Sequence, residues 1–228
     1  MASPFEARIQ SILKGYVTPL LKDQGFVRKG GVYHRALDEL TWLVEIERSS
    51  LNDPTQSTFT VTCGVFVPSL ISIYVPVQEP SRPKYHDCAL FARLGCLSEA
   101  EMDVWWDLTA TDTPSADIDI GLDIRQRLVK DGLPFLDRFH TRREVLDFLL
   151  APRRECDRGI WPPSSRLHPE HDGIRLMYTA ILCHILGDQA QSDAILDAAQ
   201  ADAKYGFEKT VAAVRRRIAE SGGSGPGP

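Results

Sequence analysis

The sequence predicts an α+β protein: an N-terminal helix packed on an antiparallel four- to five-stranded sheet, followed by helices and a C-terminal helical hairpin. Three observations carry that expectation. Apolar residues recur at helical spacing before Gly25. Past Gly25 the period drops to two, in short runs rich in β-branched and aromatic residues. From Ala89 onward helical spacing and helix-start signals return.

The first helix opens on Ser3-Pro4-Phe5-Glu6, a capping box with proline where its missing N–H costs nothing. Phe5, Ile9, Ile12, Leu13, Tyr16, Val17, Leu20 and Leu21 form its apolar stripe; Pro19 predicts a kink and Gly25 a stop. Residues 32–37 and 41–47 read as two strands joined tightly at Asp38 and Glu39, with Trp42, Val44 and Ile46 on one face. A third strand follows from the alternation of Phe59, Val61, Cys63, Val65 and Val67 with Thr58, Thr60, Thr62 and Gly64. Residues 70–77 read as a fourth, confined by Pro68 and Pro76 to a short or edge position. Such short connections favour a meander.

After Ala89 the expectation is helical. Ser98-Glu99-Ala100-Glu101 forms a second capping box leading into "MDVWWDL". Ile120, Ile124 and Leu128 indicate a helix ending near Gly132, and Thr141-Arg142-Arg143-Glu144 opens another that Pro152 stops. The expected organisation is an α+β domain over 1–152, a linker over 153–172, a helical hairpin over 173–220 with breaks at Gly187 and Gly206, and a disordered tail over 221–228.

Composition narrows the function classes. The 228 residues carry a formal net charge of −5, which argues against nucleic acid as a partner. No stretch approaches the roughly 18–20 uninterrupted apolar residues that span a bilayer, and the N-terminus lacks a signal-peptide pattern, so no membrane is expected. Five scattered cysteines without a CxxC pair fit reduced thiols in a cytoplasmic protein. No GxGxxG follows a strand, and no Walker, GxSxG or HExxH motif occurs, so no cofactor or metal is expected. Charge is uneven along the chain: eight acidic residues and no Lys or Arg lie between Glu99 and Asp123, and arginine dominates from Arg125 to Arg166. Internal pairing and solvated helix faces are the expected outcome.

His86, Asp87 and Cys88 are residue types used in nucleophilic catalysis and zinc binding, but their contiguity opposes both uses. The plainer reading makes Cys88 core and Asp87 a cap for the next helix. His168 and His171, three apart around Pro169, suit a helix start capped by Asp172 better than a metal site. Trp105 and Trp106, read on a helix, point a quarter-turn apart, so one packs in the core and the other borders a groove or helix junction.

The stretches "VTPLLKDQGFVRKGGVYHR", "FTVTCGVFVP", "YHDCALFARLGCLSE", "VWWDL" and "GLPFLDRFHTRREVLDFL" occur in an order that resembles the bacterial domain of unknown function family 4304 over roughly residues 10–150. The resemblance implies helix, antiparallel sheet, helices, and marks "HDCALFARLG" as a family element. It transfers no catalytic residue. The functional expectation is a non-catalytic binding or accessory module for a protein or peptide partner, toxin antagonism being its specialised form. Its candidate binding residues are His86, Asp87, Arg93, Trp105 and Trp106. The alternative is an enzyme acting on a small molecule or peptide, with His86, Asp87 and Arg93 lining a pocket and Trp105 as its wall. A nucleic-acid binder through Arg138 to Arg158 ranks third. The sequence fixes no oligomeric state.

Overall fold

The computed structural model describes residues 4–100, 102–151, 167–169, 171–201 and 207–222. Ser3, Glu101, Pro152, most of the expected linker, Gly206 and residues 223–228 of the expected tail lie outside the described residues. Helix α1 (Pro4–Ile12) widens into a π-helical turn over Leu13–Val17 before α2 (Thr18–Asp23). Proline lacks the amide for a bond four residues back, and its ring crowds the carbonyl there. The helix absorbs Pro19 by widening just before it, with the Thr18 amide reaching back to the Leu13 carbonyl. Gly25 ends the helix at φ 81°, with amide bonds from Gly25 to Lys22 and from Phe26 to Leu21, the left-handed stop that glycine permits.

Six strands then build an antiparallel sheet: β1 (Val27–Lys29), β2 (Val32–Ala36), β3 (Thr41–Arg48), β4 (Gln56–Phe66), β5 (Leu90–Arg93) and β6 (Trp106–Thr109). The first five lie in sequence order. Strand β4 is long enough to take two partners end to end on one side, β6 along Gln56–Phe59 and β5 along Thr62–Val65. Its odd-numbered residues Phe59, Val61, Cys63 and Val65 face the main core together with Trp42, Val44, Leu90, Ala92, Trp106 and Leu108. On that face pack α1, α2, α4 (Pro114–Arg127), a second π-helical turn (Leu128–Gly132), α5 (Leu133–Leu136) and α6 (Arg142–Leu150). The Thr141 capping box forms, Thr141 Oγ1 accepting from the Glu144 amide while Glu144 accepts from the Thr141 amide. Helices α7 (Asp172–Ile185), α8 (Gln189–Ala201) and α9 (Phe207–Gly222) continue the same apolar cluster, α7 against α6 and the short α3 (Leu70–Tyr74). Gly187 breaks α7 from α8 at φ 84°.

Several expectations change. Residues 70–77 are not a strand: Ser69, at φ 71°, turns the chain after Pro68, and Leu70, Ile71 and Ile73 bury as one helical turn. A short apolar run cannot be assigned by period alone. The helix expected after Ala89 is β5, where Leu90 and Ala92 point to the core while Phe91 and Arg93 take the other face. Ser98 starts no helix; its hydroxyl donates to the Gly95 carbonyl, and "VWWDL" leads into β6. Asp87 does not cap a following helix but closes the one-turn 3₁₀ helix Tyr85–Asp87, accepting from the Lys84 amide at 2.8 Å. The N-cap of α7 is His171, with Asp172 as the first helical residue. Of the acidic block, Asp112 and Asp117 bind Arg8, Asp103 binds Arg93, and Asp123 binds Arg127, so much of its pairing crosses the fold.

Candidate functional site

The second face of the sheet carries the even-numbered residues of β4 and is divided. At one end Val32, Leu43, Phe66, Ile71 and Cys88 form a small apolar cluster. At the other end the same alternation delivers polar groups: Glu45 and Glu47 from β3, Thr60 and Thr62 from β4, and Arg93 from β5. The ladder sets them side by side, Thr62 lying opposite both Glu45 and Arg93. Residues 102–105 cross this face, pinned where the Thr60 hydroxyl donates to the Val104 carbonyl at 2.8 Å. Gly95 allows the crossing, since a Cβ there would lie 2.5 Å from the Val104 amide nitrogen.

Between these elements lies a depression of about 170 Å³ lined by Glu47, Tyr85, Phe91, Ala92, Arg93, Cys96 and Asp103. Arg93 Nη1 donates to Asp103 Oδ2 at 2.7 Å, its Nε lies 3.9 Å from Glu47 Oε1, and its guanidinium rests 4.8 Å from the ring of Trp105. The arginine thus has a stacked and ion-paired orientation while its side chain stays 40 % exposed. Glu47, by contrast, is only 11 % exposed and accepts from the Thr62 hydroxyl. Burial, and next the Glu47 carboxylate bonded to it, hold the Tyr85 phenol above its ordinary pKa. Burial likewise raises Glu45, despite the stabilising bond from the Tyr85 amide at 2.8 Å. Asp103 Oδ1 is buried, and no donor reaches it among the described residues.

Of the residues singled out in the sequence, Arg93 and Trp105 meet here. His86 and Asp87 do not line the depression. His86 sits on the 3₁₀ turn with its side chain 60 % exposed, 3.8 Å from Asp87. Cys88 is fully buried against Gly64, where a Cβ would come within 2.8 Å of its sulfur. Burial first, then the Asp87 and Glu45 charges, push its thiol well above the ordinary range, opposite to what a nucleophile needs. Trp106 is on the opposite face, packed on Phe59, with its indole donating to Asp123 at 2.9 Å. The tryptophans separate because they enter a strand, where neighbours alternate, and not a helix. Among the described residues no three His, Cys, Asp or Glu side chains converge as a metal site.

Sequence reading missed Glu45, Glu47, Thr62, Tyr85, Phe91 and Asp103. For residues of β3 and β4 the signal was present: in "TWLVEIE" Glu45 and Glu47 alternate with Val44 and Ile46, as threonines alternate with apolar residues in "TFTVTC". Following those alternate positions as a second face would have gathered three of the six, Glu45, Glu47 and Thr62.

No curated protein and no solved structure matches the chain. A family described as Domain of unknown function (DUF4304) matches residues 17–138, a span that includes all six strands and every residue lining the depression. That span is more than half of the 228 residues, and the chain belongs to this family.

Proposed function

We propose that this chain is a non-catalytic binding module that recognises a protein or peptide partner through the second face of its sheet, with the depression beside Arg93 and Trp105 as the anchor point. The single observation that carries the reading is the state of Arg93: part-exposed, yet oriented in advance by two carboxylates and an indole. A side chain ordered before contact loses less entropy on binding, and arginine beside aromatic groups is the composition of interface hot spots. The catalytic alternative loses its main support, because His86 is exposed on a turn and Cys88 is sealed in the core.

Antagonism of a toxin remains the specialised form of this reading, with the acidic chain steering a basic partner. A cytoplasmic, bacterial setting accords with it: Cys63, Cys88 and Cys183 are free cysteines, and no helix among the described residues is long and apolar enough to cross a membrane. The test is affinity capture with the full chain beside Trp105→Ala and Arg93→Ala, followed by calorimetry with the purified captured protein. A partner held stoichiometrically by the wild type and at least about tenfold more weakly by both variants supports the proposal. Equal binding to all three forms moves the interface elsewhere.

A further inference from the structure

Resting on the reading of this depression as a partner's anchor point, we infer that the group it takes is a primary ammonium on an alkyl chain, as presented by a lysine side chain of the partner. Charge supplies the first argument. Two carboxylates, Glu47 and Asp103, face one guanidinium, and that guanidinium is already engaged by both. An arginine neutralised in this way has little attraction left for an anion, while the surplus negative charge favours a cation. Hydrogen bonding supplies the second. Glu47 accepts from Thr62 and is bonded to the Tyr85 phenol, Asp103 spends Oδ2 on Arg93, and Asp103 Oδ1 has no donor among the described residues. A buried acceptor without a donor is complemented by a ligand that brings one.

Shape and walls choose among cations. The rings of Tyr85 and Phe91 meet edge to face at 5.2 Å on one flank, giving an aromatic surface along which an alkyl stem can lie beside its charge. At about 170 Å³ the space is below the roughly 300–1,000 Å³ of pockets for drug-sized ligands, and it suits one side chain. The two carboxylates come from different elements, β3 and the crossing segment. Separate acceptors suit the rotatable donors of a compact ammonium, whereas a guanidinium fork prefers a single carboxylate held in plane.

The experiment titrates the full ¹⁵N-labelled chain with Nα-acetyl-lysine methylamide, with the same compound acetylated at Nε, with butyrate and with spermidine. The lysine compound is expected to shift the amides of Phe91, Arg93 and Asp103 and the Trp105 indole N–H saturably, while its Nε-acetylated form and butyrate do not. Glu47→Gln keeps size and an acceptor, and is expected to weaken the response at least about tenfold with amide dispersion intact. Asp103→Asn is a second variant should Glu47→Gln lose the fold. Shifts with butyrate and none with the lysine compound overturn the ammonium assignment and leave the partner site standing. Spermidine binding far more tightly than the lysine compound keeps the ammonium chemistry but transfers its source to a free polyamine, overturning the partner reading. If no compound moves these signals, both fall.

Discussion

The two faces of this sheet are made by the same strands and differ in almost every physical respect. The core face is apolar from end to end, buried under helices, and joined to the C-terminal helices in one cluster. The second face has apolar closure at one end only, and at the other it holds two glutamates, two threonines and an arginine beside an open depression. Period-two alternation lets one segment serve both ends: each odd residue of β4 adds to stability, while Thr60 and Thr62 hold the elements around Arg93 in place. Substitutions on the first face should therefore be read in folding, and those on the second in recognition.

Adjacent tryptophans give the sharpest way to break that comparison. Trp106→Ala empties a buried site against Phe59 and removes the indole bond to Asp123, and is expected to cost about 3–5 kcal/mol in urea unfolding. A loss near that of an exposed residue would show that the core face is not packed as described.

The next effect is set by pH and belongs to the closure of the second face. His168 stacks on Phe91 at 4.5 Å, and its amide donates to the Phe91 carbonyl, covering the outer edge of β5. Burial first, and the His171 charge second, lower its pKa from 6.5 to about 4. The folded state thus keeps the imidazole neutral where the unfolded chain takes up a proton. Stability is full above pH 6.5 and falls as pH drops towards about 4, by at most about 3 kcal/mol. Denaturation midpoints across that window, with His168→Gln flattening the slope, check the sign and the source. An unchanged slope in the variant would assign the dependence to other groups.

Legibility followed the same division. The core face could be read because it is an apolar pattern: Trp42, Val44, Phe59, Val61, Cys63 and Val65 all fall where alternation places them. The Thr141 capping box and the Gly25 and Gly187 stops were legible because each is a local device with its own chemistry. Residues 70–74 and 89–93 were not, since such short apolar runs take their conformation from partners distant in sequence, here α7 and the middle of β4. The site failed for the same reason. Arg93 and Trp105 could be picked out as residue types and Glu47 follows from alternation in β3, yet Tyr85 and Asp103 reach them only through the 3₁₀ turn and the crossing segment, which no local pattern announces.

Gly95 tests whether that crossing segment is what builds the depression. Gly95→Ala forces a methyl onto the Val104 backbone, which cannot swing aside as a side chain can. The expected cost is about 1–3 kcal/mol, with the Thr60–Val104 bond lost and the Asp103 and Trp105 signals displaced. A variant of native stability and an unchanged Trp105 indole resonance would mean that residues 102–105 do not lie tightly on the sheet.

Trp105→Ala is the smallest change in stability and the most informative beside its neighbour. The Trp105 ring is half-buried, and its described aromatic contact is the Arg93 guanidinium at 4.8 Å. A part-exposed cation–π contact contributes about 0.5–1 kcal/mol, so the unfolding midpoint should barely move. Arg93 still has Asp103 as an ion-pair partner, so the fold survives while the guanidinium loses the surface that fixes its plane. A loss in binding much larger than the loss in stability would assign Trp105 to recognition. Equal losses in both would make it one more packing residue and return the second face to the role of the first.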